Sequence, residues 1–306
     1  MIQPLTIAFW CLSFLVFSGV AVAQPTRATR TTGKFYIVGM GTAPDLITVR
    51  AQQVIAKADI VLTEEGSEGG WTDLVRGKEL WSWPHTFRKY YGVDPETLNE
   101  PSQRGQAEAM ARTRQQLMEK IRVAVEQGKT VACLQRGDPM MYGMTLFLEM
   151  LPADLPSEIV PGVGAVQAAS AAVKMIPPYG YDTNAVILTM ADWPGRADTN
   201  ERLMATGSTM VFYTMHLNYP DLFSQLKRHY PADTPVAVVN DAGDPKRERV
   251  IRSTVGRFLQ EVDYQNLPEE RHMLLVGKFL KVGQARKDSL AYRRPPRMVR
   301  PGRVRA

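Results

Sequence analysis

The sequence predicts an α/β fold, and three observations carry that reading. Lys34 to Val38 is an apolar strand ending in Gly39-Met40-Gly41, followed by a helix over Leu46–Ala58 and a strand over Asp59–Leu62. A strand-loop-helix-strand unit of this kind builds a parallel sheet. Val131-Ala132-Cys133-Leu134 is a second short strand, stopped by Gly137-Asp138-Pro139 and followed by a bulky apolar segment. Beyond Thr183, further short strands alternate with helical stretches.

The first helix follows from apolar residues recurring at helical spacing between Leu46 and Ala58. Gln106 to Gln127 is a long amphipathic helix, and Gly128 stands where a C-cap is expected. It leads directly into the Val131 strand. At the end of that strand Gly137 allows a backbone geometry that a Cβ obstructs, and Pro139 stops the ladder. The loop so formed lies at the carboxyl end of a strand, where open α/β sheets bind ligands. Asp138 offers that loop a carboxylate, although Gly-Asp-Pro is also an ordinary turn sequence.

Glu158-Ile159-Val160 is another strand, ending at Pro161-Gly162-Val163-Gly164. The small residues Ala165 to Ala172 then form a helix able to pack very close to a neighbour. In the second half, Ala185–Thr189, Thr209–Tyr213, Val236–Val239 and Met273–Val276 read as strands, with helices over Leu222–His229 and Thr254–Glu261. Pro177-Pro178-Tyr179-Gly180 is the best boundary, giving α/β parts over 34–178 and 183–282. Between Glu65 and Gln106 lies a stretch holding Trp81-Ser82-Trp83-Pro84-His85 and Arg88-Lys89-Tyr90-Tyr91. It reads as a loop with short helical pieces, its aromatics forming either a substrate platform or lid, or a small satellite cluster.

The two ends of the chain differ from its body. Pro4 to Ala23 is apolar, uncharged and closed by Ala21-Val22-Ala23, so residues 1–23 read as a signal peptide or an N-terminal anchor. Basic residues follow only on the carboxyl side, at Arg27, Arg30 and Lys34, which suits an anchor held at the inner membrane. Cleaved export to the periplasm, anchoring, and a misassigned start that leaves the protein cytoplasmic all stay open. Residues 284–306 carry eight basic side chains against Asp288 alone and read as a disordered basic tail. The formal charge of +6 therefore resides in that tail, and the near-neutral body speaks against nucleic acid as a partner. Cys133 is the one thiol outside the leader, and the four histidines are scattered singly, so neither a disulfide nor a zinc site is expected.

Read together, the three loops form an ordered set: Val38-Gly39-Met40-Gly41 leading to Leu46-Ile47-Thr48, then Gly137-Asp138-Pro139, then Val160-Pro161-Gly162. With Ala58-Asp59-Ile60-Val61, Ser208 to Tyr213, Thr234 to Val239 and Leu274-Leu275-Val276-Gly277, the chain closely resembles the tetrapyrrole methylases. These are S-adenosylmethionine-dependent enzymes that methylate corrins and porphyrins. The rival reading of Gly39-Met40-Gly41 as a dinucleotide fingerprint fails, because Pro44 stands where the third glycine is required.

The resemblance implies two α/β domains, a mainly parallel N-terminal sheet and a mixed C-terminal sheet, with the cofactor in the cleft between them. It also implies a homodimer and a small tetrapyrrole-like substrate. Carried over by motif, S-adenosylmethionine lies along Gly137, Asp138, Met141 and Tyr142, beside Thr214-Met215, Ala242, and Val276-Gly277. Glu64 follows the Ala-Asp-x-Val strand where relatives place an acid, so it is either the base that removes the ring proton or an exposed loop carboxylate. No metal is implied. The first loop, Gly-Thr-Ala-Pro-Asp, is shorter than in many relatives. Together with the leader it keeps a second reading open, a non-catalytic tetrapyrrole- or cofactor-binding protein of the cell envelope.

Overall fold

Ten strands divide into two five-stranded sheets in a computed structural model that describes residues 33–281, except 68–70, 144, 180–182 and 269. The leader, the basic tail and Gly180 of the expected boundary lie outside the described residues. All described residues belong to one compact unit.

The first part runs β1 (Lys34–Gly39), α1 (Val49–Lys57), β2 (Ile60–Glu64), α2 (Thr72–Val75), β3 (Glu79–Trp83), α3 (Pro101–Glu126), β4 (Thr130–Gln135), α4 (Thr145–Met150), β5 (Ser157–Val160) and α5 (Ala165–Val173). The second part runs β6 (Val186–Thr189), α6 (Asn200–Met204), β7 (Thr209–Tyr213), α7 (Tyr219–His229), β8 (Pro235–Asn240), β9 (Arg249–Thr254), α8 (Phe258–Glu261) and β10 (His272–Val276). Sheet order is β3-β2-β4-β1-β5 in the first sheet, whose pairs are all parallel. The second sheet, ordered β6-β7-β10-β8-β9, is mixed: β6 and β7 are parallel, while β10 and β9 run antiparallel to their neighbours. The expected α/β class and both sheet types are present.

Each sheet is covered on both faces. One face of the first packs Phe35, Ile37, Leu62 and Cys133 against α3 and Phe147, the other packs Val38, Val61 and Ala132 against Ala51 and Ile55 of α1. Cys133 is thus the buried small hydrophobe expected, and burial pushes its thiol pKa well up. On the second sheet, Ala168, Ala169 and Val173 of α5 lie against Val211, Ala237, Val239 and Leu275. The small-residue helix therefore packs on the sheet that follows it in sequence. Phe223, Leu226 and Phe258 cover the opposite face.

Several expected boundaries move for local reasons. The first helix splits into a 3-10 turn, Pro44–Leu46, and α1, because the Thr48 hydroxyl caps α1 by accepting from Ala51 N–H at 3.1 Å. The long helix begins at Pro101, which suits a first helical position. Thr254 closes an unexpected strand, β9, leaving only Phe258–Glu261 helical. The aromatic stretch also contains a strand. β3 pairs in parallel with β2, and Trp83 is buried with Phe87 and Phe147, its ring 5.2 Å from that of Phe147. Its aromatics extend the main core, with Trp81 and Tyr91 packed at the margin.

Candidate active site

Three strand ends of the first sheet come together backbone against backbone. A Cβ on Gly39 would overlap Gly162, and one on Gly162 would overlap the carbonyl oxygen of Gly137. Gly41 and Gly137, at φ of 74° and 73°, exchange hydrogen bonds of 3.2 and 2.8 Å. Glycine is needed here for both space and conformation. Asp138 ties the group: Oδ1 accepts from Met140 N–H at 2.8 Å, and Oδ2 accepts from Gly162 N–H at 3.2 Å. Its carboxylate is first a clamp that joins the loops after β4 and β5.

Contacts across the cleft fix how the two sheets face each other. Tyr142, at φ 54°, donates from its hydroxyl to the Leu188 carbonyl at 3.3 Å, and its ring lies 4.7 Å from that of Tyr213. The loop after β4 thus meets the ends of β6 and β7. Burial raises the pKa of both phenols, and the Tyr142 and Asp138 charges push Tyr213 further in the same direction. On the other flank, Gly243 sits so close to Thr42 and Leu46 that a Cβ there would strike both. Arg136 donates to the Thr42 carbonyl at 3.2 Å and approaches buried Asp241 at 3.8 Å. Arg271 and Arg247 face the same carboxylate at 3.3 and 3.9 Å. Burial, with the two neighbouring guanidiniums, lowers the Arg136 pKa, and Asp241 opposes that shift.

Most residues singled out from the sequence meet at this edge. Gly137, Asp138, Met141 and Tyr142 form the loop after β4, with Met141 exposed. Thr214 follows β7, is buried, and donates to the His272 carbonyl at 2.7 Å, with Met215 next in the chain. Ala242 is buried in the loop after β8. Glu64 closes β2 on the same rim, half exposed and 3.1 Å from His85 Nδ1.

Val276 and Gly277 do not join them. β10 runs antiparallel to β7 and β8, pairing Val276 with Met210 and Val236, while His272 pairs with Asn240. Val276 therefore stands at the opposite edge of the sheet, roughly 13 Å from His272 at about 3.3 Å per residue. Gly277 lines a separate cavity of about 230 Å³ with Thr209 and Thr234. The expected cofactor contact at these two residues is corrected on that ground.

Sequence reading missed Thr42, Arg136, Tyr213 and Asn240. Thr42 Oγ1 and Asn240 Oδ1, one in the first loop and one at the end of β8, are buried without a hydrogen-bond partner. Buried polar atoms are normally paired, so these two suit a polar ligand held between the loops. Glycine backbone supplies a wall that no side chain blocks. S-adenosylmethionine, with amino, carboxylate, hydroxyl and adenine groups, fits such a site. Neither orphan atom has a sequence signature.

The profile of the Tetrapyrrole (Corrin/Porphyrin) Methylases matches residues 34–259. A precorrin-4 C(11)-methyltransferase of Pseudomonas aeruginosa is 29% identical over 276 residues, 87% of this chain and 98% of the relative. A uroporphyrinogen-III C-methyltransferase of Methanocaldococcus jannaschii is 26% identical, covering 82% of this chain and 98% of the relative. The siroheme synthase of Nitrosomonas europaea is 27% identical, and the match spans 83% of this chain and 50% of that longer protein. Among solved structures, a cobalt precorrin-4 methyltransferase of cobalamin biosynthesis superposes with a TM-score of 0.63 at 25% identity, covering 82% of this chain and 97% of that one.

Proposed function

This chain belongs to the tetrapyrrole methylase family, and we propose that it transfers a methyl group from S-adenosylmethionine to a carbon of a porphyrin- or precorrin-type macrocycle. The observation that carries the reading is the glycine junction of Gly39, Gly137 and Gly162, clamped by Asp138, with the unpaired buried Thr42 hydroxyl in the loop that follows Gly41. The bound sulfonium supplies an electrophilic methyl group, so the protein's task is mainly to hold the acceptor carbon in line with it. In this reading Gly137, Asp138 and Met141 line the donor on the first sheet. Thr214, Met215 and Ala242 close it from the second, with Thr42 and Asn240 offering polar contacts. Tyr142 and Tyr213, kept as neutral phenols, wall the cleft without adding charge next to the sulfonium.

Methylating a ring carbon leaves a proton to be removed. Glu64, on the rim and hydrogen-bonded to His85, is assigned as the base, with His85 sharing the proton it takes up. This is the enzymatic reading, favoured over a purely binding role because the loop junction is intact. Incubation of the chain with methyl-labelled S-adenosylmethionine and uroporphyrinogen III or a precorrin tests it. Label in the macrocycle fraction supports the assignment; label remaining wholly in the donor across the panel contradicts it.

Location and assembly belong to the same proposal. The apolar stretch Pro4–Ala23 supports export to the periplasm or attachment to the inner membrane, and the family resemblance supports a homodimer. Among the described residues, no helix is long and apolar enough to cross a membrane. Fractionation with N-terminal sequencing tests the first point, and light scattering of the purified chain tests the second.

A further inference from the structure

The loop 190–199, between β6 and α6, is rigidified by an unusual amount of polar structure for a surface segment. Asp192 accepts the Asn200 backbone N–H on both oxygens at 3.0 Å and also takes Arg196 at 3.2 Å. Arg196 donates to Asp198 at 2.8 Å and to Thr189 Oγ1 at 3.1 Å. Asn200 in turn accepts from Thr189 Oγ1 and donates to the Met190 carbonyl, both at 2.7 Å. The Arg196 side chain is only 7% exposed, yet the indole it supports is open: Trp193 is 54% exposed, its ring centre 5.0 Å from the guanidinium. A cation packed against an aromatic ring restrains it, and here the restrained ring keeps a large apolar surface in water.

The position of this indole gives it a use. Tyr142 donates to Leu188, two residues before the loop begins, and its ring lies tilted against that of Tyr213. Met140 and Met141, 56% and 41% exposed, belong to the same loop as Tyr142. The Tyr142 contacts set the β4 loop against β6 and β7, and Gly243 sets the loop after β8 against the β1 loop, so β2 with Glu64, beside β4 and away from β1, lies on the β6 side. The loop that carries Trp193 and the loop that carries Met140 and Tyr142 therefore border the cleft on the side where Glu64 stands.

We propose that Trp193, braced by Arg196, is the platform on which the face of a tetrapyrrole macrocycle stacks, with Tyr142 and Met140 continuing that surface toward the donor loops. The inference rests on the reading of this chain as a tetrapyrrole methyltransferase. A macrocycle presents a broad apolar face, which matches a rigid indole and thioether side chains, and aromatic or sulfur contacts favour it further. Trp193 then bears on one face of the acceptor ring and sets which face meets the donor.

The test is titration of the full chain with uroporphyrin III, followed by its Soret band, beside calorimetric titration with S-adenosylhomocysteine. Trp193→Ala is expected to weaken porphyrin binding about tenfold, in the range found for aromatic stacking on flat rings. Trp193→Phe is expected to stay within about threefold of the native chain, since a stacking face remains. Arg196→Gln is expected to fall between them, because the brace is lost and the indole kept. S-adenosylhomocysteine affinity stays unchanged in all three, which also reports that they fold. Porphyrin binding by Trp193→Ala as tight as native overturns the proposal, as does native binding of S-adenosylhomocysteine without any of uroporphyrin III. Trp193-dependent porphyrin binding with no S-adenosylhomocysteine binding leaves the platform standing and removes the donor reading.

Discussion

Asp138 holds Gly162 in place: the Gly162 N–H donates to Asp138 Oδ2 at 3.2 Å, while the other carboxylate oxygen accepts from Met140 at 2.8 Å. One side chain thereby joins the loops that leave β4 and β5, two strands separated in the sheet by β1. The junction of these loops at the strand edge depends on this link.

Replacing Asp138 is accordingly expected to act through loop shape. Hydrogen bonds to a charged group contribute about 1.5–3 kcal/mol each, and partial exposure places these at the lower end. Asp138→Ala should bind S-adenosylhomocysteine about tenfold more weakly and lose about 1–2 kcal/mol of stability. Asp138→Asn should fall between it and the native chain, because an amide oxygen can still accept one of the two N–H groups. Calorimetry and urea denaturation of the two variants measure these effects, and an unchanged Asp138→Ala affinity would remove the clamp from the account.

Two glycines should respond in opposite directions. In Gly162→Ala the new methyl overlaps the Gly137 carbonyl and the Gly39 backbone, with a cost of about 1–3 kcal/mol and loss of cofactor binding. Gly105 lies inside α3 with open space where its Cβ would stand. Gly105→Ala is therefore expected to stabilise by about 0.5–1 kcal/mol and leave binding alone. Urea midpoints of the pair give the comparison.

Glu64→Gln separates binding from proton removal. The side chain sits on the rim and touches His85, apart from the glycine junction. Its loss should lower kcat for methyl transfer about 10²–10⁴-fold, the usual range for a general base. S-adenosylhomocysteine affinity should not move. Native turnover in Glu64→Gln would make Glu64 the exposed loop carboxylate of the alternative reading.

Stability should depend on pH through His272. Its Nδ1–H donates to the Pro268 carbonyl at 2.6 Å, so Nε2 accepts from the Tyr219 hydroxyl at 2.5 Å and the ring is neutral. Burial holds its pKa below the ordinary 6.5. Above that value both folded and unfolded chains carry a neutral ring, and the stabilisation is complete. As pH falls below it, the unfolded chain takes up a proton that the folded one resists, so stability declines until the folded pKa is passed. Urea denaturation at pH 8 and pH 5.5 should show this decline in the native chain and a smaller one in His272→Gln. Equal declines would place the titration elsewhere.

The glycine loops were legible in the sequence because Gly and Pro mark turns by their own stereochemistry. Val38 to Gly41, Gly137 to Pro139 and Val160 to Gly162 all fall at strand ends as expected. β3 escaped notice because its residues, Glu79 to Trp83, form an edge strand with mostly open side chains and Pro84 just beyond. The misplacement of Val276 and Gly277 has a different origin. A strand's apolar pattern is the same in either direction, and only pairing with β7 and β8 reveals that β10 runs the other way. Thr42, Asn240 and the Arg196 brace carry no such local mark.

The central claim is that the Gly39–Gly137–Gly162 junction holds S-adenosylmethionine. Calorimetric titration of the native chain with S-adenosylhomocysteine tests it most directly, with Gly162→Ala as the matched control. One site per chain, a dissociation constant of about micromolar order, and no binding heat in the control are expected. Absence of binding by the native chain at millimolar ligand, or equal binding by Gly162→Ala, would contradict it.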